Sequence, residues 1–158
     1  MLKKILSWFV FVCLFLLIII GFATKDKLTQ YLSESIAKNA SPEIIKSGDA
    51  LIDSLFNYSM NDFNYEVTFL EFGAKGCTAC RKMETVMDEV REKYPNMVNV
   101  VFLNILLPES QTLMKYYGIA AIPTQVLLDK NGKEFFRHTG YLSTPELTKT
   151  IINDDSIK

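Results

Sequence analysis

EFGAKGCTACRKMETVM, Glu71 to Met87, holds two cysteines three positions apart where an extended apolar run gives way to helical periodicity. Upstream, YEVTFLEF (65–72) is rich in aromatic and β-branched residues and reads as a buried central strand. Downstream, Met83, Val86, Met87, Val90 and Tyr94 recur at helical spacing until Pro95 ends the run. Cys77 and Cys80 therefore fall at a strand-to-helix junction. Such a pair has three readings: part of a metal clip, a structural staple, or a dithiol that transfers electrons.

Further along the chain, structure types alternate. VNVVFLNI (98–105) reads as a second buried strand, and Leu113, Met114 and Tyr117 mark a helix closed by Gly118. TQVLLD, a KNGK turn and EFFRH (124–138) read as an antiparallel hairpin. Ser143, Thr144, Pro145 and Glu146 combine a cap, a first-turn proline and a box-forming acid, opening a last helix through Leu147, Ile151 and Ile152. Before the cysteines, Leu51, Ile52, Leu55 and Phe56 form a helical patch, with Ser47-Gly48-Asp49 as its start signal.

The N-terminal region is of another kind. The chain has 158 residues, is 49% hydrophobic and carries a formal charge of −1. Much of the apolar excess lies in ILSWFVFVCLFLLIIIGFA (5–23), which holds no charge and as a helix would extend roughly 28 Å, near the ~30 Å of a bilayer core. A cleaved signal peptide is the rival reading, but its apolar region is usually about 7–15 residues. The expected organisation is a cytoplasmic tail (1–4), a transmembrane signal anchor (5–23), a stalk or linker helix (24–46) and a globular domain (47–158). Lys3 and Lys4 hold the short tail inside, so the domain faces the extracytoplasmic side. No basic stripe interleaved with aromatics marks a nucleic-acid partner. Cys13 lies inside the apolar run and reads as a small apolar helix residue.

GCTACRKM, YYGIAAIPTQ, KNGKE and the glycine of HTGYLS together resemble the thioredoxin family, over roughly 47–152. The likeness is greatest to membrane-tethered extracytoplasmic thioredoxins of bacteria, including those beside the transmembrane electron carriers of cytochrome c maturation. The resemblance implies an α/β thioredoxin fold, a central mixed β-sheet flanked by helices, here preceded by a transmembrane helix. It implies that Cys77 and Cys80 form a redox-active disulfide. A thiolate at a helix N-terminus is favoured by free backbone N–H groups, which suits Cys77 as the attacking thiol and Cys80 as the resolving one. Thr78 and Ala79 lie between them, where familiar thioredoxins carry glycine and proline. Pro123 is expected to be cis and to face the pair, with Ile122 offering backbone groups to an extended substrate.

Glu71 stands where the family usually has an aspartate, and Phe102 where that acid's lysine partner would be. Buried, Glu71 would have a raised pKa suited to proton exchange with Cys80; strand alternation leaves open that it reaches the surface instead. Gly73 and Gly76 replace tryptophans that often flank the cysteines, so Cys77 should be open. Arg81 and Lys82 read as solvated side chains and His138 as a rim residue. A zinc site would need about four ligands, and with Cys13 inside the apolar run the sequence offers no second cysteine pair and only one histidine; a staple across so short a loop would stabilise little.

The expectation is a membrane-tethered protein-disulfide reductase of the bacterial inner membrane with its domain in the periplasm. It uses no cofactor or metal, takes protein disulfides such as that of apocytochrome c, and draws electrons from a transmembrane protein. A disulfide oxidase or isomerase, and a Cu(I)-delivery module using Cys77, Cys80 and His138, are the alternatives.

Overall fold

The structure, a computed structural model, describes residues 2–61 and 63–153, apart from the side chains of 2–7, 22, 23, 25 and 26. Four strands form one sheet in the order β2-β1-β3-β4: β1 (Val67–Gly73), β2 (Val98–Asn104), β3 (Thr124–Asp129) and β4 (Glu134–Thr139). β1 and β2 are parallel and joined through α3 (Thr78–Lys93), while β3 is antiparallel to both β1 and β4. The KNGK turn closes the β3–β4 hairpin, with the Asp129 carboxylate accepting from the N–H groups of Asn131 and Lys133, both at 2.9 Å.

Alternation along β1 divides the core. Val67 and Phe69 face Met83, Val86 and Val90 of α3 and Leu147 and Ile151 of α5 (Thr144–Asn153). Leu70 and Phe72 face the opposite way, onto Ile52 and Phe56 of the α2 region and Leu113 of α4 (Gln111–Tyr116). Every residue of β1 is buried, as a central strand covered on both faces requires. The last helix opens as its sequence implies, with the Ser143 N–H donating to the Glu146 carboxylate at 3.1 Å.

α2 runs from Pro42 to Leu55, so the start expected at Ser47 falls inside it. Ser41 is the true cap, its hydroxyl accepting from the Ile44 N–H at 3.3 Å. Gly48 serves spacing instead: a β-carbon there would stand 2.1 Å from the Tyr116 ring, so its absence lets α4 pack against α2.

The expected anchor and the first part of the expected stalk form one continuous helix, α1 (Leu2–Lys38), whereas the last stalk residues, 42–46, belong to α2. The expected span, 5–23, lies partly outside the described side chains. Within it, the described side chains from Trp8 to Gly21 are exposed apart from a half-buried Val12. Among the described residues no helix is long and apolar enough to cross a membrane; those side chains cover less than the roughly 20 residues of a span. The C-terminal part of α1 rests on the domain, where Ser33 is buried. Gly118, at φ +59°, makes that contact possible, since a β-carbon would fall 2.1 Å from the Ser33 carbonyl oxygen.

Candidate active site

β1 ends at Gly73, and four residues later Cys77 caps α3. Its Sγ accepts from the Cys80 N–H at 3.1 Å, the role a serine or aspartate plays at other helix starts. Gly76 takes a positive φ of 93° that brings the chain into this cap. Cys77 and Cys80 form a disulfide with a Cα–Cα separation of 5.2 Å. The two sulfurs differ in access: Cys77 is half-buried, whereas Cys80 is buried beneath the first turn of α3. An incoming thiolate meets Cys77 first.

The Ile122–Pro123 bond is cis. The antiparallel register pairing Phe72 with Thr124 carries Pro123 to the level of Gly73, at the end of β1 where the cysteine loop departs. Pro123 is buried and its carbonyl accepts from the Gly140 N–H at 2.8 Å, tying it to the end of β4. Ile122 is half-buried, Ala121 and Thr78 are exposed, and Ala79 is half-buried. These residues and Cys77 share one end of the sheet.

Below the disulfide, Gly73 gives a correction. A β-carbon at Gly73 would lie 2.8 Å from the Phe102 ring and 3.5 Å from Cys80 Cβ. Phe102 fills the room that the glycine leaves, so Gly73 does not open Cys77; at Gly76 nothing stands within 4 Å of such a carbon, and that side is open.

Glu71 lies two residues before Gly73 and so on the same face of β1, toward α3. It is fully buried, and the alternative in which it reaches the surface is excluded. Burial pushes its carboxyl up to about 8, while the Gln125 amide, donating to Oε2 at 3.0 Å, pulls the other way. Near neutrality most Glu71 carboxyls hold a proton. Sequence reasoning does not single out Gln125 as a partner. Its signal is a polar residue in the apolar TQVLLD strand, directly opposite Glu71 in the β1–β3 register. Phe102, Glu71, Gln125 and His138 form one transverse row across the four strands.

Arg81 and Lys82 are exposed on α3. His138 is half-buried on β4. Among the described residues no three metal-ligating side chains come together, so the ligand set Cys77, Cys80 and His138 is not assembled.

A family model described as a thioredoxin-like domain matches residues 63–153. The chain belongs to this thioredoxin-like family. Thioredoxin 1 of Nostoc sp. is 29% identical over 99 residues, covering 63% of this chain and 89% of that protein. A chloroplastic thioredoxin-like protein of Oryza sativa, HCF164, is 32% identical over 71 residues, 45% of this chain and 27% of that one. Among solved structures, thioredoxin-2 of a malaria parasite superposes with a TM-score of 0.52 at 27% identity, covering 56% of this chain and 84% of its own. With the Cys-x-x-Cys disulfide at the head of α3, the thioredoxin-like domain is a thiol:disulfide oxidoreductase.

Proposed function

We propose that the protein is a membrane-tethered protein-disulfide reductase whose thioredoxin-like domain works on the extracytoplasmic side of a bacterial inner membrane. The observation that carries the catalytic assignment is the unequal access of the two sulfurs, Cys77 half-buried at the helix cap and Cys80 buried behind it. In the reduced enzyme, Cys77 attacks a substrate disulfide as the thiolate and forms a mixed disulfide. Cys80 then attacks Cys77, releasing the reduced substrate and restoring the disulfide. In this reading Glu71 takes up and returns the Cys80 proton, a role supported by its burial on the same face of β1 as Gly73, whose β-carbon position lies 3.5 Å from Cys80 Cβ. Ile122, Pro123, Thr78 and Ala79 form the surface on which an extended substrate segment rests.

The tether is supported by the exposed apolar half of α1 and by the uncharged run 5–23. The reductive direction is supported by Ile122 before the cis proline, as in reducing thioredoxins, and by the likeness to thioredoxins that receive electrons across a membrane. Oxidised apocytochrome c and other envelope disulfides are the substrates this reading gives.

The test is the redox state of Cys77 and Cys80 in growing cells, trapped by acid quenching and counted by thiol alkylation. A mostly reduced pair is expected; a mostly oxidised pair sinks the reductive direction in favour of an oxidase. Cys77→Ser should abolish disulfide reduction, whereas Cys80→Ser should accumulate mixed disulfides through Cys77.

A further inference from the structure

We infer that Lys82 and Tyr141 form a specificity rim beside the disulfide, which selects polypeptide segments carrying a glutamate or aspartate two residues from the cysteine that Cys77 attacks. The inference deepens the reading of Cys77 as the attacking thiol and rests on it.

Tyr141 is fixed from both sides. The N–H of Gly140 donates to the Pro123 carbonyl at 2.8 Å, and the N–H of Leu142 donates to Met83 Sδ of α3 at 3.4 Å. Gly140, at φ +110°, supplies the turn out of β4 that this crossing needs. Tyr141 therefore bridges the cis-proline segment and α3, which Cys77 heads. Its side chain is nonetheless 50% exposed. A half-exposed ring on a backbone held at both neighbours is a preformed contact surface, so a ligand spends little in ordering it.

The Lys82 ammonium stands 5.9 Å from the centroid of that ring, within the cation–π reach of about 6 Å. Lys82 lies one turn below Thr78 on the same face of α3, and Arg81 one turn below Cys77, whose carbonyl accepts from the Arg81 N–H at 3.1 Å. No acid stands three or four positions from Lys82 on either side; those places hold Thr78, Ala79, Thr85 and Val86. Among the described residues neither Arg81 nor Lys82 forms an ion pair. Charge at this end of the sheet has one sign. The segments that meet here, 73–83, 104–108, 118–124 and 139–143, hold Lys75, Arg81 and Lys82 and no acidic residue, with Glu84 and Glu109 at their borders. The chain as a whole carries a formal charge of −1. Unpaired cations on the surface that a substrate must cross favour a negative side chain there.

Spacing sets where that side chain falls. From Cys77 to Lys82 an α-helix rises about 7.5 Å, and two residues of an extended segment span roughly 6.6 Å with their side chains on the same side. A segment joined to Cys77 through its cysteine and passing toward Tyr141 thus brings its second neighbour level with Lys82. A glutamate or aspartate there lays its methylenes on the ring and its carboxylate on the ammonium.

The test uses the full chain in detergent, with Cys13 and Cys80 changed to serine and Cys77 reduced. The probes are unstructured peptides whose single cysteine is a pyridyl disulfide, with glutamate, glutamine or lysine two residues before or after it. The Cys77 thiolate attacks the peptide sulfur, and thiopyridone leaves with the electron pair of the broken S–S bond; its absorbance follows the rate. For one of the two placements the glutamate peptide should react about fivefold faster than the glutamine peptide at low salt, the upper range for an exposed charge pair, and the lysine peptide slowest. The ratio should shrink at ~1 M salt, where the Debye length is about 3 Å. Taking the glutamate-to-glutamine ratio within one protein cancels any effect of Lys82 on the Cys77 thiolate itself. That ratio should be lost in Lys82→Met, persist in Lys82→Arg, and stay unchanged in Lys93→Met, at the far end of α3. Tyr141→Leu should lower it by roughly half, because the ammonium is no longer held. Equal rates for the three peptides in both placements, a ratio that survives Lys82→Met, or an equal loss in Lys93→Met overturns the specificity rim and leaves Cys77 as the attacking thiol. If no peptide releases thiopyridone, Cys77 is not the attacking thiol and the catalytic reading fails together with the rim.

Discussion

Two apolar runs in this chain have opposite surroundings. In β1, Val67, Phe69, Leu70 and Phe72 are fully buried between two layers of helices. In α1, Trp8 is 70% and Phe11 72% exposed, and nothing among the described residues covers them. The composition is similar, but β1 has α2 and α4 on one face and α3 and α5 on the other. The difference teaches that apolarity says a segment must be covered, while topology says by what. A run as exposed as that of α1 calls for lipid or another protein, since soluble chains rarely leave a large contiguous apolar surface in water.

The strongest way to break this comparison is to cut one aromatic from each run. Phe69→Ala should cost about 3–5 kcal/mol, the usual loss for a buried phenylalanine. Phe15→Ala, at a residue 64% exposed, should leave the unfolding free energy of the domain within ~0.5 kcal/mol. Chemical denaturation of both variants in detergent measures the two values. Equal losses would mean that α1 belongs to the domain core.

The buried run also holds a carboxyl, and Glu71→Gln tests its cost. The folded-state pKa of Glu71, about 8, lies above the ordinary 4.5. Between those values the native state keeps a proton that the unfolded chain has released. Glu71 therefore contributes stability that is fully present below pH 4.5 and lost as pH rises through 8. Glu71→Gln should remove that decline and leave the variant more stable than the unmodified protein at about pH 8, because the amide does not titrate. Denaturation midpoints across this range measure it. The same variant should slow disulfide exchange, because the amide cannot take the Cys80 proton.

Where the two runs meet the rest of the protein, Gly118→Ala is the discriminating change. Its φ of +59° and the nearby Ser33 carbonyl oxygen leave no room for a side chain. The left-handed conformation alone costs an alanine about 1–2 kcal/mol. Hydrogen exchange should quicken in α1 at 30–37 and stay unchanged in β1. Faster exchange in both would show that α1 and the sheet open together.

Much of this is legible in the sequence because it depends on local chemistry. Cys77 to Cys80 at a strand–helix junction, the capping box at Ser143 and the KNGK turn are each specified within a few residues. The cis bond at Pro123 is reached through family likeness rather than local pattern. What escapes depends on packing between distant segments. Gly48 mimics a helix start, yet its purpose is to admit Tyr116, far along the chain. Gly73 suggests an open cysteine, but Phe102 of the neighbouring strand occupies the space. The seating of α1 on the domain has no local signature, because it is set by the close approach of Ser33 and Ala37 to Gly118, far along the chain.

Gln125 belongs to the same group, and its removal is the smallest effect expected. In an apolar strand, a glutamine reads as a residue turned to solvent. Instead it is fully buried and donates its amide to Glu71 Oε2 at 3.0 Å. That bond favours the ionised carboxylate, against the larger and opposite effect of burial. Gln125→Leu should therefore move the Glu71 titration to still higher pH, tightening proton binding about fivefold if the bond contributes ~1 kcal/mol. Carbon NMR of the labelled Glu71 carboxyl would follow the titration directly. With Glu71 held protonated over a wider range, proton uptake from Cys80 should require higher pH, moving the pH profile of disulfide exchange in the same direction. A titration left in place would mean that the amide fills space without tuning the acid, and that burial alone sets the proton affinity at the foot of the disulfide.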